Sequence, residues 1–241
     1  MRIALFSDIH ANLPAFEAFL KSLDNKKPDA VYCLGDLVGY NIWPNEVIAE
    51  IRRRGIPTIA GNHDVKVKTA ISDTSGKNYA YSFISNENQE YLSTLPAHIQ
   101  LEYKLSEGSC TILLVHGSPR SNEEYVLVDT DEHYIKGLLH DCGADILLCA
   151  HSHKPYHRVI SRSGDSSFYH IINTGSVGKP KDGDSRGGYV ILSLNESSSL
   201  GVKESIEVEF VRFEYDVEKA AKAIEESPLP NEFADRLRKA Y

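Results

Sequence analysis

The chain has 241 residues and a formal net charge of −8, with 41% hydrophobic and 25% charged residues. This composition is typical of a folded globular protein and excludes a largely disordered chain. The length favours a single α/β domain. The acidic balance argues against nucleic-acid binding, because nonspecific binding to DNA or RNA depends on many Lys and Arg contacts with phosphates.

Cysteine usage and the N-terminus indicate the compartment. The four cysteines form no CxxC pair, and Cys33, Cys110 and Cys149 lie in or beside apolar runs. Buried thiols of this kind fit a reducing compartment. The first apolar run is too short for a signal peptide, and no run approaches the ~18 apolar residues of a membrane span. We therefore expect a cytoplasmic protein that does not enter a membrane.

The first sixty residues alternate between strand and helix patterns. The run RIALF predicts a buried strand, and NLPAFEAFLKSL predicts a helix that Asn12 caps. Its apolar positions recur at helical spacing at Phe16, Phe19, Leu20 and Leu23. The stretch DAVYCLGD predicts a second strand, WPNEVIAEIRRRG a helix that Gly55 ends, and IPTIA a third strand. This βαβαβ order predicts a parallel sheet.

The rest of the chain is strand-rich after an interruption. Residues 65 to about 100 are polar and predict a helical insert, which would form a lid or a dimer surface. The runs TILLV, DILLCA, FYHIIN, GYVILSL and SIEVEFVRFEY then predict strands, the last with Ile206, Val208 and Phe210 on one face. Helices are expected near 131–141 and at about 216–240. No linker interrupts the chain, so we expect one domain over residues 1–241.

Five predicted strands end in residue types that bind metal ions. The residues that follow these strands are Asp8 and His10, Asp36, Asn62 and His63, His116, and His151 and His153. Because ligands bind outside the carboxyl ends of strands in open α/β sheets, these side chains should meet at one edge. Residues two apart in extended backbone face the same way, so each DxH or HxH pair could hold one ion.

Each motif taken alone has an ordinary explanation. A DxH pair occurs by chance, Gly-Asp after a strand is usually a turn, and a lone histidine is usually a satisfied core residue. GNHD alone fits a turn as well as a site. The combination of all five, each at a strand end, favours a metal site. The remaining five histidines show no ligand spacing and are expected at the surface or in the core.

The order DxH, GD, GNHD, H, HxH resembles that of the calcineurin-like metallophosphoesterases, from Arg2 to about Ser193. The runs GDLVGY, HGSPR and NTGSVGKP look like its small bacterial and archaeal members. The resemblance implies an α/β fold, a four-layer sandwich of two mixed β-sheets flanked by helices. Two departures are AHSH at 150–153, where the family usually has GHTH, and Gly39-Tyr40, where the protein-phosphatase branch has Asp-Arg.

The resemblance also implies a site with two divalent metal ions. One ion would be held by Asp8, His10, Asp36 and His153, and the other by Asp36, Asn62, His116 and His151. Asp36 would bridge the two ions. The donor types themselves, carboxylate, amide and imidazole, suit Mn, Fe, Co, Ni or Zn. The absence of a thiolate among them excludes a structural zinc site of the Cys-rich type.

The implied mechanism is attack on phosphorus by a hydroxide that the two ions share. A general acid is then needed for a poor leaving group, and His63 is the candidate. Next to Asn62 in extended backbone, His63 would project away from the metal and toward the substrate. Asp64 would either orient His63 or cap the turn at the surface.

Substrate contacts are only weakly encoded. Asn12, Tyr40 and Arg120 follow ligand-bearing strands and are candidates for substrate binding, with Asn41 as an alternative to Tyr40. The loop GKPKDGDSRGG, which contains Lys179, Lys181 and Arg186, could meet a phosphate, but a solvated turn is favoured.

The expected function is hydrolysis of a small phosphodiester or nucleotide-type phosphoester. Two alternatives remain, a phosphomonoesterase or protein phosphatase, and a non-catalytic metal-binding scaffold on the same fold. The lack of the Asp-Arg pair lowers the case for a protein phosphatase, and the presence of His63 favours an enzyme over a scaffold. The sequence leaves open the physiological substrate, the metal pair and whether the chain forms a homo-oligomer.

Overall fold

A computed structural model describes residues 1–68, 76–105, 108–164 and 166–241 of the chain. Within these ranges the strands are β1 (Arg2–Phe6), β2 (Ala30–Cys33), β3 (His98–Leu105), β4 (Gly108–Val115), β5 (Ile146–Cys149), β6 (Tyr156–Ser161), β7 (Phe168–Asn173), β8 (Gly187–Ser193) and β9 (Glu207–Phe213). The α-helices are α1 (Leu13–Lys26), α2 (Pro44–Arg54), α3 (Asn62–Lys66), α4 (Tyr79–Ser82), α5 (Asn86–Thr94), α6 (Glu132–Cys142), α7 (Val217–Glu225) and α8 (Glu232–Lys239). A 3₁₀ turn, Lys203–Ser205, precedes β9.

The strands form two mixed sheets. The first has the order β2-β1-β8-β9, in which only β1 and β2 are parallel. The second has the order β3-β4-β5-β7-β6, with β4, β5 and β7 parallel and an antiparallel strand at each edge. The predicted α/β class with two mixed sheets is therefore confirmed.

Buried apolar residues divide the molecule into layers. One cluster lies between the sheets and includes Leu5 of β1, Leu114 of β4, Leu148 of β5 and Val190 of β8. A second cluster packs α1 and α2 on the outer face of the first sheet, and a third packs α6 on the outer face of the second sheet. The order helices, sheet, sheet, helix is the expected four-layer sandwich.

The two helices of the N-terminal half begin and end as their sequences predict. The side chain of Asn12 accepts a hydrogen bond of 3.2 Å from the backbone N–H of Ala15, and the apolar positions of α1 face the core. Helix α2 buries Val47, Ile48 and Ile51 and ends at Gly55, whose φ of 62° lies in the left-handed region.

Three strand predictions need correction, and two strands were not predicted. The run IPTIA is not a strand of either sheet, since it makes a single bridge between Thr58 and Cys33. The predicted parallel pairing of β1 with β2 is confirmed, whereas the expectation of a wholly parallel sheet is wrong, because β8 pairs antiparallel with the other edge of β1. Strands β3 and β6 were not predicted. On the predicted face, Ile206 just before β9 is buried and Val208 packs against the core between the sheets, but Phe210 is 40% exposed. Val211 and Phe213 of the opposite face are buried as well.

The helical insert and the C-terminal helices pack against each other. Helices α4 and α5 lie in the predicted insert, of which residues 69–75 are outside the described residues. Ala80 of α4 lies in one cluster with Ala221 and Ile224 of α7 and Phe233 of α8. The insert is therefore held on the body of the protein by helices from the opposite end of the chain.

The structure bears on the predictions for the cysteines and for a membrane span. All four cysteines are free, and Cys33, Cys110 and Cys149 are buried, as expected of small core side chains. Among the residues that the structure describes, no helix is both long and apolar enough to cross a membrane.

Candidate metal centre

The predicted ligands lie at the carboxyl ends of strands from both sheets. Asp8 and His10 follow β1, Asp36 follows β2, His116 follows β4, and His151 and His153 follow β5. Asn62 begins helix α3 on the segment after IPTIA. The site therefore sits across the end of the sandwich, where the two sheets meet, and not along the edge of a single sheet.

The backbone at these positions is left-handed. Asp8, His10, Asp36, His151 and His153 have φ values between 51° and 63°. The expectation that DxH and HxH pairs face one way in extended backbone is therefore wrong. The conformation costs about 1 kcal/mol or more at each non-glycine residue, so the surrounding structure must enforce it. Backbone hydrogen bonds across the strand ends do so, from Asp8 to Gly35 and from His10 to Asp36, each 3.0 Å long.

The side-chain donor atoms of the predicted ligands converge. His153 Nε2 lies 3.0 Å from Asp8 Oδ1, and His10 Nε2 lies 3.6 Å from both Asp8 Oδ1 and Asp36 Oδ2. His116 Nε2 lies 3.4 Å from Asp36 Oδ2. These separations match those of ligands around shared cations, with Asp36 in the middle of the set.

Three of the histidines are oriented by backbone carbonyl groups. His10 Nδ1–H donates to Val38 O at 3.0 Å, and His116 Nδ1–H donates to Leu34 O at 2.8 Å. His153 Nδ1–H donates to Lys179 O in the same way. A proton on Nδ1 leaves the Nε2 lone pair free, and this Nε2 points at the carboxylates. The arrangement aims each Nε2 at the carboxylates, as a metal ligand would be aimed.

Two polar groups in the cluster, the Asp8 carboxylate and the Asn62 amide, are placed where a cation would bind them. Asp8 Oδ1 is buried without a hydrogen bond within the described ranges. The amide group of Asn62 lies 3.1 Å from His116 Nε2 and 3.0 Å from His151 Nδ1. With its oxygen toward these nitrogens a divalent ion would bind all three atoms, whereas the turned-over amide would donate hydrogen bonds to the two rings. The residues present therefore fit a metal centre.

The protonation states also suit a metal centre. Burial alone would raise the pKa of Asp8 and Asp36, but the facing histidines reverse this and hold both carboxyl groups well below their usual range. Burial lowers the pKa of His153 to about 4, which keeps its imidazole neutral. Burial alone would also lower the pKa of His116, but the facing Asp36 carboxylate raises it to about 9, so a cation that binds there displaces a proton. Charged carboxylates and a neutral imidazole are the forms that bind divalent cations.

His63 lies beside the cluster with one ring nitrogen engaged. It belongs to the first turn of α3 and not to extended backbone, which corrects the sequence-based geometry. Its backbone N–H donates to Asp36 Oδ1 at 2.8 Å, and its Nδ1 lies 2.6 Å from the hydroxyl of Tyr81. One of its ring nitrogens lies within 4.8 Å of a carboxylate oxygen of Asp36 and a nitrogen of His10.

Asp64 neither lies at the surface nor is hydrogen-bonded to the His63 ring. It is buried, and its carboxylate accepts hydrogen bonds from three backbone N–H groups, those of Gly61, Asp36 and Leu37. Of the two roles expected for it, capping is found, but at a buried position and not at the surface. It caps α3 from inside the protein and ties this helix to the loop that carries Asp36.

The three predicted substrate contacts are in different places. Tyr40 lines a cavity of about 280 Å³ over the ligand cluster. Asn12 is fully buried and used for structure, since it caps α1 and donates to Gly178 O at 2.7 Å. Arg120 lies in another depression, 3.3 Å from Asp141. Only Tyr40 is brought to the candidate site.

Two lysines of the loop after β7 depart from the expected solvated turn. Lys179 is fully buried, and its Nζ lies 4.6 Å from the centre of the Tyr40 ring without a hydrogen bond among the described residues. Lys181 is half-buried and lines the same cavity as Tyr40. In the sequence, only the position of the two lysines after the GSVG segment indicates that they are near the site. The Gly and Asp residues around them are typical of a solvated turn.

The cavity has a further aromatic and charged lining that was not predicted. The ring of Tyr125 stacks on that of His151 with centroids 4.2 Å apart, and half of Tyr125 is exposed. Lys66 and Glu123 form an ion pair of 3.7 Å at the rim. The cavity thus presents a cation, an aromatic face and the ligand cluster to one small volume.

Comparisons with known proteins agree with this geometry. A family model described as the calcineurin-like phosphoesterase superfamily domain matches residues 1–197. An uncharacterized protein of Methanocaldococcus jannaschii is 32% identical over 255 residues, which cover 98% of this chain and 96% of that protein. A metallophosphoesterase from Sphaerobacter thermophilus is 27% identical with a TM-score of 0.78, covering 100% and 99% of the two chains. A hypothetical protein from Pyrococcus horikoshii shares the fold, with a TM-score of 0.77, 22% identity and 100% and 98% coverage.

Proposed function

The chain belongs to the calcineurin-like phosphoesterase superfamily, and we propose that it is a metal-dependent phosphoesterase that cleaves phosphodiester or nucleotide-type phosphoester bonds. The observation that carries the proposal is the convergence of carboxylate, amide and imidazole donors under a small cavity. Histidines held by carbonyl groups and a carboxylate oxygen without a hydrogen bond in the described part of the chain support a cation there.

We propose two divalent ions in this centre, from the group Mn, Fe, Co, Ni and Zn. Asp8, His10, Asp36 and His153 would hold one ion, and Asp36, Asn62, His116 and His151 the other. The donor atoms of Asp8, His10 and His153 lie within 4.8 Å of one another, as do those of Asp8, Asp36 and His116. When bound, such ions supply an activated water and neutralise charge on the phosphate oxygens.

His63 is proposed as the general acid that protonates the leaving oxygen. The hydrogen bond at Nδ1 leaves Nε2 as the nitrogen for the cavity that His63 lines. Its backbone N–H holds Asp36 Oδ1, so the acid and a central ligand are kept at a fixed distance. Protonation matters most for esters with poor leaving groups, because a stable anion can leave without a proton.

Tyr40 and Lys181 are proposed to bind the substrate. Lys181 would meet a phosphate oxygen, since it is the lysine of the cavity wall next to His153. A cavity of about 280 Å³ is at the lower end of the range for small-molecule sites and favours a small phosphoester over a folded protein substrate. A phosphomonoester remains the alternative substrate. Cytoplasmic localisation and a homo-oligomer stay predictions.

A substrate and metal panel tests the proposal. The purified chain would be assayed with Mn, Ni, Fe or Zn on bis-p-nitrophenyl phosphate, p-nitrophenyl phosphate and dinucleoside polyphosphates. We expect metal-dependent hydrolysis that Asp36→Asn abolishes and that the exposed Asp129→Asn leaves unchanged. Metal-loaded protein without activity on any of these esters would contradict the enzyme and support the scaffold.

The role of His63 is tested separately. His63→Ala should retain its metal ions and lose about 100-fold or more in kcat on a dinucleoside polyphosphate, with a smaller loss on p-nitrophenyl esters. Metal content by mass spectrometry distinguishes a lost acid from a lost ion. An unchanged rate on the poor leaving group would remove His63 from this role.

A further inference from the structure

The ring of His63 is enclosed on several sides. Tyr81 O–H lies 2.6 Å from Nδ1, the rings of Tyr40 and His10 lie 4.8 and 5.0 Å away by centroid, and a Cβ on Gly39 would come within 2.7 Å of Nδ1. The ring therefore has little freedom to turn over. Of these neighbours, the Tyr81 hydroxyl is the one that hydrogen-bonds to a ring nitrogen.

We propose that Tyr81 is a positioning residue for His63. In the resting, neutral ring the Tyr81 hydroxyl donates to Nδ1, which holds the ring in one orientation and keeps the ring proton on Nε2, the nitrogen available to the cavity. To act as a general acid the ring takes up a second proton at Nδ1, so that Nδ1–H donates to the Tyr81 oxygen while Nε2–H passes its proton to the leaving oxygen. The expected effect of Tyr81 on turnover rests on the proposed function. The position of the proton on the His63 ring does not.

The proposed direction of this hydrogen bond requires one tautomer of His63. A neutral imidazole has one N–H donor and one acceptor nitrogen, so Nδ1 can accept only if Nε2 bears the proton. Burial raises the pKa of Tyr81, which keeps its O–H protonated and available as a donor. Asp64 cannot take this role, because its carboxylate is committed to three backbone N–H groups.

The position of Tyr81 depends on the two ends of the domain. Tyr81 belongs to α4, and Ala80 next to it is buried among residues of α7 and α8. The N–H of Gly76, just before α4, donates to Pro228 O at 3.3 Å. Phe233 of α8 also packs edge-on against the Tyr40 ring at 4.9 Å. These C-terminal contacts lie beyond residue 197, where the family match ends, and they hold the aromatic wall around His63.

Nitrogen NMR of the full-length chain tests the position of the proton without any assay of turnover. The chain would be labelled with ¹⁵N in histidine, and His63→Ala would identify the His63 signals. We expect the neutral wild-type ring to show its proton on Nε2. Tyr81→Phe should shift the Nδ1 signal or mix the two tautomers, whereas Tyr79→Phe on the same short helix should change neither. A proton on Nδ1 in the wild type would overturn the proposal, whether or not Tyr81→Phe folds.

A double-mutant cycle tests the consequence for turnover. Tyr81→Phe should lower kcat on a poor leaving group about 3- to 10-fold with little change in KM, as expected for one lost hydrogen bond. In the His63→Ala background the same change should have no further effect, because Tyr81 acts through His63. An equal loss in both backgrounds would overturn the proposal. If no phosphoester is hydrolysed at all, the proposed function fails, and the NMR result still decides the role of Tyr81.

Discussion

Asp64 and Asp36 are joined by a hydrogen bond from the backbone N–H of Asp36 to Asp64 Oδ2, 2.7 Å long. The same carboxylate accepts the N–H groups of Leu37 and Gly61 at 3.0 and 2.9 Å. One buried side chain thus sets the distance between the loop after β2 and the first turn of α3. Because Asp36 and Asn62 are proposed ligands on these two segments, we expect Asp64 to set the geometry of the proposed metal centre without contacting an ion.

Replacing Asp64 should therefore affect stability and metal binding together. Asp64→Ala leaves three buried N–H groups without an acceptor, and we expect unfolding free energy to fall by about 2–4 kcal/mol. Asp64→Asn keeps one acceptor oxygen and should lie between this variant and the wild type. Urea unfolding and metal analysis measure the two effects. Asp131→Ala, which removes a single exposed cap at α6, is the control, and an equal loss in both Ala variants would contradict the role of Asp64.

Gly61 is expected to be irreplaceable because of a close approach of two backbone segments. A Cβ at this position would lie 2.1 Å from Asp36 Oδ1 and 2.3 Å from its backbone nitrogen. Gly61→Ala should therefore displace Asp36, lower stability by about 1–3 kcal/mol and reduce metal content. The matched change is Gly137→Ala in helix α6, where a Cβ would meet nothing within 4 Å, and it should raise stability by about 0.5–1 kcal/mol. Normal metal content in Gly61→Ala would count against this view of the site.

Lys181 should determine how tightly substrate binds. Its loss removes a cation from the cavity wall, so Lys181→Ala should raise KM for a phosphoester about 10-fold with a smaller change in kcat. Lys181→Arg should recover part of the affinity, because it keeps the charge. Lys203→Ala, on the 3₁₀ turn before β9, serves as the control for the loss of an exposed lysine. Steady-state kinetics that show an unchanged KM would exclude contact between Lys181 and substrate.

A histidine pair away from the candidate metal centre, the buried His170 and the half-buried His157, should make stability depend on pH. His157 Nε2 and His170 Nδ1 lie 2.9 Å apart, and burial lowers the pKa of His170 to about 4, with smaller effects of His157 and Arg162. Below pH 6.5 the unfolded chain binds a proton at His170, whereas the folded chain binds it only near pH 4. Stability therefore falls as pH decreases through this window, by about 3 kcal/mol at most.

Two variants separate the contribution of His170 to the pH dependence of stability from the contribution of the carboxylates. In urea unfolding between pH 4 and 8, His170→Leu should lose less stability on acidification than the wild type. His140→Gln, whose histidine is 86% exposed, should follow the wild-type curve. Parallel curves for wild type and His170→Leu would show that the His170 pKa is not shifted by folding.

Local patterns were sufficient for some parts of the site. The strands that precede Asp8, Asp36, His116 and His151 are recognisable as apolar runs, and polar ligand types follow each of them directly. The apolar stripe and cap of α1 were likewise readable, because helix periodicity and capping depend on residues within a few positions. The set of candidate ligands could therefore be chosen before the structure was known.

Other features of the fold and the site could not be predicted from neighbouring residues, and these wrong predictions have one physical cause. Asn12 has the residue type of a substrate ligand, but its side-chain amide donates to the carbonyl of Gly178, 166 residues away. Lys179 sits in a Gly- and Asp-rich stretch typical of a solvated turn, yet the aromatic ring of Tyr40 covers it. Thr58 belongs to an apolar run that resembles a strand, but this run makes only one bridge. In each case a contact from a distant segment decided the outcome.

The sequence by itself determined which residue types stand at the strand ends and which helices flank them, because periodicity and capping are properties of neighbouring residues. Only the tertiary structure decided how these side chains are aimed. His10 is oriented by a carbonyl group 28 residues away and His116 by one 82 residues away. The left-handed backbone of Asp8 and His153 is stable only within such contacts, since an isolated chain would avoid it. Orientation at the metal centre is therefore a product of long-range hydrogen bonds, which a local pattern does not encode.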